Sequence, residues 1–113
     1  MKKLVLLISI LMFVGCDDED YSAPSVEYRV TGSATSVSIT LSNASENTEQ
    51  YSNISLPYSY IFDSASGNFL YISAQNQGSS GSVTSTIYVD GDVFETATSS
   101  GEYVIASASG SCP

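Results

Sequence analysis

The segment SVSITLS, residues 36–42, alternates hydroxyl and apolar side chains without a break. At helical spacing Val37, Ile39 and Leu41 would scatter around the circumference. At strand spacing all three share one face, with Ser36, Ser38, Thr40 and Ser42 on the other. A half-buried strand follows. The same period-2 pattern returns at Val26 to Thr31, Tyr51 to Ile54, Tyr58 to Phe62, Phe69 to Ala74, Val83 to Val89, Val93 to Ala97 and Tyr103 to Ala108. Turn-forming clusters separate these runs: SNASENT at 42–48, SASGN at 64–68, NQGSSG at 76–81, DGD at 90–92 and SSGE at 99–102. Short strands punctuated in this way predict an all-β antiparallel sandwich or barrel. Asp90-Gly91 gives the strongest local signal. A type I′ hairpin needs positive φ at both central positions, which this pair tolerates, so the flanking strands are expected to pair directly.

The N-terminus follows a different grammar. MKKLVLLISILMFVG, residues 1–15, carries two lysines and then a short apolar run, the layout of a secretory signal. The run is too short for the ~20 apolar residues of a membrane span. Phe13-Val14-Gly15-Cys16 resembles a lipobox, which implies cleavage before Cys16 and acylation of that cysteine, although Phe13 stands where such sites usually carry leucine. An ordinary signal followed by an incidental cysteine is the competing reading. With two or three chains, each buried methylene adding about 0.8 kcal/mol, anchoring is effectively permanent. The expected organisation is a signal helix over 1–15, a lipidated cysteine and acidic tether over 16–25, and one sandwich domain over 26–113. Asp17, Asp18, Glu19 and Asp20 read equally as a solvated spacer, as an inner-membrane retention signal or as the surface-export run of Bacteroidota lipoproteins. The expected location is the cell envelope, with the outer membrane or surface favoured over the periplasmic face of the inner membrane.

Composition narrows the function. Once residues 1–15 are removed, Arg29 is the only basic side chain against 12 acids, a net charge of −11. Nucleic-acid binding, which needs clustered Lys and Arg, is excluded, and docking on anionic lipid is disfavoured. The chain has no histidine, the mature part has no lysine, and the second cysteine, Cys112, is next to last. The usual catalytic bases and activated nucleophiles are therefore missing, no cofactor is expected, and the residues do not spell an enzyme. With Cys16 acylated, Cys112 is left as a lone thiol in a segment expected to fray, open to intermolecular pairing. Asp90, Asp92 and Glu95 are oxygen donors of the type calcium takes, but three acids on a tight turn fall short of the roughly six to eight oxygens of a tight site.

Recognition through surface remains. All eight tyrosines lie beyond the signal. Tyr28, Tyr71 and Tyr103 are in phase with core residues and Tyr88 suits a cross-strand pair; the group Tyr58, Tyr60 and Phe62, just after Leu56-Pro57, is the candidate binding face, with sandwich core as the competing reading. Asn43-Ala-Ser45 and Asn53-Ile-Ser55 are formal N-glycosylation sequons, and Asp63-Ser64-Ala65 resembles the O-glycosylation signal of Bacteroidota envelope proteins.

Several of these segments together resemble the MmpS family of small mycobacterial membrane proteins. The family's Tyr-x-Val-x-Gly strand corresponds to Tyr28, Val30 and Gly32, and its Thr-rich strand ending in Asn to Thr40–Asn43. Its Leu-Pro-Trp-Ser element corresponds to Leu56, Pro57, Tyr58 and Ser59, and its Val-Thr-Cys-x-Ile-x-Val-Asp-Gly run to Val83–Gly91, with Cys112 at the family's C-terminal cysteine. The resemblance covers roughly residues 26 to 112. It implies a small immunoglobulin-like sandwich of about seven or eight strands outside the cytoplasmic membrane, acting as accessory subunit to a resistance-nodulation-division exporter. Two residues depart from the pattern: Ser85 replaces the first cysteine, so the family disulfide is missing, and Tyr58 replaces tryptophan. The partners expected are the membrane, through the N-terminal lipid, and an envelope transporter or other envelope protein; the ligand is unknown. A stand-alone surface lipoprotein with an adhesive or structural role is the alternative.

Overall fold

The computed structural model describes residues 23–113, so the signal segment, Cys16 and all but the end of the tether lie outside the described residues. Eight strands follow one another: β1 (Ser25–Thr31), β2 (Val37–Ser42), β3 (Thr48–Ile54), β4 (Tyr58–Asp63), β5 (Phe69–Asn76), β6 (Ser82–Val89), β7 (Asp92–Ser100) and β8 (Ile105–Ser111). They form two four-stranded antiparallel sheets, ordered β4-β1-β6-β7 and β3-β2-β5-β8, packed as a β-sandwich.

Alternation fixes which side chains fill the space between the sheets. Val26, Tyr28 and Val30 of β1, Val37, Ile39 and Leu41 of β2, Leu70, Ile72 and Ala74 of β5, and Val83 and Ile87 of β6 are all buried. Their sizes are graded across the sandwich. The β7 and β8 side carries Ala97, Ala106, Ala108 and Gly110, with the Phe94 ring lying against Gly110. There the sheets approach closely. The β1 and β4 side carries Tyr28, Tyr58, Tyr60 and Phe62 instead. Bulky rings hold the sheets apart there, and the fold is a wedge, closed along β7/β8 and open between the edge strands β3 and β4.

Two polar pins lock the wedge. The Tyr28 hydroxyl donates to the Ser42 carbonyl at 2.7 Å and accepts from the Tyr71 amide at 3.1 Å. The β2–β5 ladder ends at Leu41 and Ile72, so the phenol replaces the next rung while tying β1 to the opposite sheet. Burial pushes the pKa of the hydroxyl up to about 12, partly offset by the Tyr71 amide. Asn76, also fully buried, donates to the carbonyls of Ser80 and Gly101 and accepts from the Gly78 amide, tying together the β5–β6 and β7–β8 loops.

The expected hairpin at Asp90-Gly91 forms, with φ of 51° and 86°. Other expectations shift. β3 starts at Thr48, inside the expected turn cluster, and β7 extends to Ser100. Tyr71 lies on the outer face of β5, stacked on Phe69 at 6.0 Å, because Leu70, Ile72 and Ala74 take the inner phase. Tyr103 lies before β8 in a left-handed turn (φ 57°) and is 59% exposed. Cys112 does not fray: its amide donates to the Asn68 carbonyl, its carbonyl accepts from the Gly67 amide, and its thiol is buried.

Candidate functional site

The open side of the wedge gathers the candidate binding residues. β4 alternates Tyr58, Tyr60 and Phe62 with Ser59, Ile61 and Asp63, and it pairs with β1 residue by residue from Ser25–Asp63 to Val30–Tyr58. Tyr60 lies opposite Tyr28 in that register, so the aromatic phase points inward. Phe62 meets Tyr28 edge-on at 5.1 Å, and Tyr60 lies 5.2 Å from Phe62 and 6.2 Å from Tyr28. The expected face is therefore the half-buried margin of the core, and not an outward-facing patch. β4 has no strand beyond it among the described residues, so these rings remain partly open to solvent.

Across the gap stands β3. Glu49 pairs with Leu41 and Tyr51 with Ile39, both inward-facing, so Glu49 and Tyr51 also point into the gap. The register shift between Val37 and Ile39 is a bulge in β3. It brings Ile54 onto the same face as Tyr51, and Asn53 absorbs the turn at φ 60°. Glu49 accepts hydrogen bonds from the Tyr51 hydroxyl and, at 2.6 Å, from Asn43 Nδ2. The Tyr51 hydroxyl, and secondarily Asn43, hold its carboxyl below the usual range, and the carboxylate in turn lifts Tyr51 to about 12. Burial, and then the Glu49 charge, raises Tyr58. The site is thus an aromatic gap with one ionised carboxylate at its rim.

Ile61 is the residue that alternation made legible and that attention to tyrosines passes over: it is 65% exposed on the outer face of β4, beside Glu27. Next to it Arg29, the one base among the described residues, is fully engaged. Its Nε and Nη2 donate to both Glu27 oxygens at 2.9 and 3.1 Å, and its guanidinium lies 4.6 Å from the centre of the Tyr88 ring.

The other candidates separate. Asp90 Oδ1 accepts from the Ser25 amide, and Asp90, Asp92 and Glu95 are not among any acidic group able to hold a metal, of which the described residues contain none. Ser64 of the O-glycosylation signal is 2% exposed, which shields it in the folded chain. Asn43 is occupied in its own turn, accepting from the Ser45 and Asn47 amides. The hydroxyl of Ser85, in the family's first cysteine position, donates to the Ala106 carbonyl at 2.9 Å. Cys112 follows the end of β8, six residues beyond Ala106 and about 20 Å away at the ordinary strand rise, far beyond the reach of a disulfide. Cys16 lies outside the described residues.

No protein-family model matches the chain, and no curated protein matches it.

Proposed function

We propose that this protein is a lipid-anchored, extracytoplasmic and non-catalytic binding domain, tethered through Cys16 and presenting the open β3/β4 side of its sandwich to an envelope partner. One observation carries the recognition half: Tyr58, Tyr60 and Phe62 form a half-buried aromatic margin on an edge strand, with Tyr51 and Glu49 opposite. Rigid rings with polar tips at an open margin suit contact with another surface. The anchoring half is supported by the Gly15-Cys16 junction after a short apolar run, and by an acidic domain that has no other attraction to a membrane. The MmpS resemblance supplies the partner class, a membrane exporter that this domain serves as accessory subunit.

Expression of Cys16→Ser in host cells tests the anchor. With a fatty-acid probe fed to the cells, the wild-type chain is expected to carry the label and to lack residues 1–15, and the variant to carry none; an unlabelled wild-type chain, or a variant labelled equally, overturns the reading. Replacement of Tyr60 by a photo-crosslinking residue tests the gap, and an adduct with an exporter subunit is the expected product.

A further inference from the structure

Of the four edge strands, three are blunted and one is not. β3 carries the bulge at Asn53, whose amide is taken by the Gln77 side chain at 2.9 Å, and the inward carboxylate of Glu49. β7 carries a second register shift, between Ile87 and Tyr88 of its partner, together with Asp92 and Glu95. On β8 the carbonyls of Ile105 and Ala106 accept the hydroxyls of Ser99 and Ser85 from the opposite sheet. Bulges, inward charges and covered edges are the devices by which sheets refuse further strands.

β4 has none of them. Its six residues keep an unbroken register with β1, its one charge is the terminal Asp63, and among the described residues no side chain bonds its backbone. Alternate N–H and C=O groups along the outer edge are left for a further strand. A segment laid there would drop one phase of its side chains into the gap over Tyr58, Tyr60 and Phe62 and set the other beside Ile61.

We propose that β4 is a docking strand that takes up an extended segment of another protein by antiparallel or parallel strand addition, the segment interspersing apolar residues with Lys or Arg. This deepens the binding-domain reading and rests on it. Charge selects the occupant. Glu27, Glu49 and Asp63 border β4, and side chains over the described residues sum to −7, with Arg29 already engaged. A second copy would bring the same acids and no free cation.

Hydrogen exchange of the full chain in non-ionic detergent, read by mass spectrometry, tests this with a synthetic peptide of about eight residues alternating valine and lysine. Amides of β4 are expected to slow by on the order of tenfold, an effect abolished by Ile61→Lys and retained in Thr98→Lys on β7. The alternating valine–glutamate peptide is expected to leave β4 unchanged. Absence of β4 protection, protection at another edge, equal protection by the acidic peptide, or concentration-dependent protection without peptide, the mark of a second copy, each overturns the proposal. The mass of Cys16 read from the same preparation keeps the two ideas apart. Acylated Cys16 with unprotected β4 overturns strand addition alone, and unmodified Cys16 with protected β4 overturns the anchor alone.

Discussion

Tyr28→Phe removes one oxygen and leaves two buried backbone groups, the Ser42 carbonyl and the Tyr71 amide, without their partner. A loss of about 2 kcal/mol is expected in urea unfolding, with the ring packing intact; an unchanged midpoint would show that the bridge contributes nothing. The same hydroxyl makes stability depend on alkaline pH. Its pKa of about 12 in the fold exceeds the ordinary 10.0, so the folded state keeps a proton that the unfolded chain releases. The contribution is full below pH 10 and declines as pH rises to 12, and Tyr28→Phe is expected to flatten that decline. Much of this was not visible in the sequence. Tyr28 and Tyr71 both stand among alternating apolar residues, but β5 opens on Phe69–Ile72, apolar or aromatic in both phases. Only the aliphatic run Leu70, Ile72 and Ala74, which enters the core beside Ile39 and Leu41 of β2, decides that Tyr71 turns outward and lends its amide instead.

Strand existence was legible wherever one phase alone was apolar, as in SVSITLS, and the β6–β7 hairpin was legible because Asp90-Gly91 suits so few backbone shapes. Gly91 and Gly32 separate two reasons for glycine. A Cβ on Gly91 (φ 86°) meets nothing within 4 Å, whereas one on Gly32 (φ 138°) would lie 2.1 Å from the Ser82 carbonyl oxygen. Gly91→Ala is therefore expected to cost about 1 kcal/mol, from backbone strain alone. Gly32→Ala is expected to cost clearly more, because β1 must also move from the start of β6. Equal thermal shifts in the two variants would contradict this account of the β1–β6 contact. Edge identity, in contrast, was not legible. That β4 and β3 are edges follows from sheet order, a set of long-range pairings that no local period encodes. The bulge that turns Ile54 inward beside Tyr51 likewise answers to the register with β2.

At the scale of the molecule, the C-terminus is held by backbone bonds between Cys112 and the Gly67–Asn68 turn and by the burial of its thiol. Cys112 is 3% exposed in the core cluster, so its thiol reports global opening. A bulky thiol reagent is expected to label it slowly in native buffer and rapidly in denaturant; immediate native labelling would mean that the C-terminus frays. The wedge leaves the β3/β4 side open, the side proposed to meet a partner. The most direct measurement is the intact mass of the protein from isolated host membranes, combined with protease shaving of whole cells. A chain beginning at Cys16 and carrying two or three acyl chains is the predicted species, with loss on shaving marking a surface module and protection marking one facing an exporter in the periplasm. An unmodified chain, or one with Cys16 bonded to Cys112, would contradict the anchored domain.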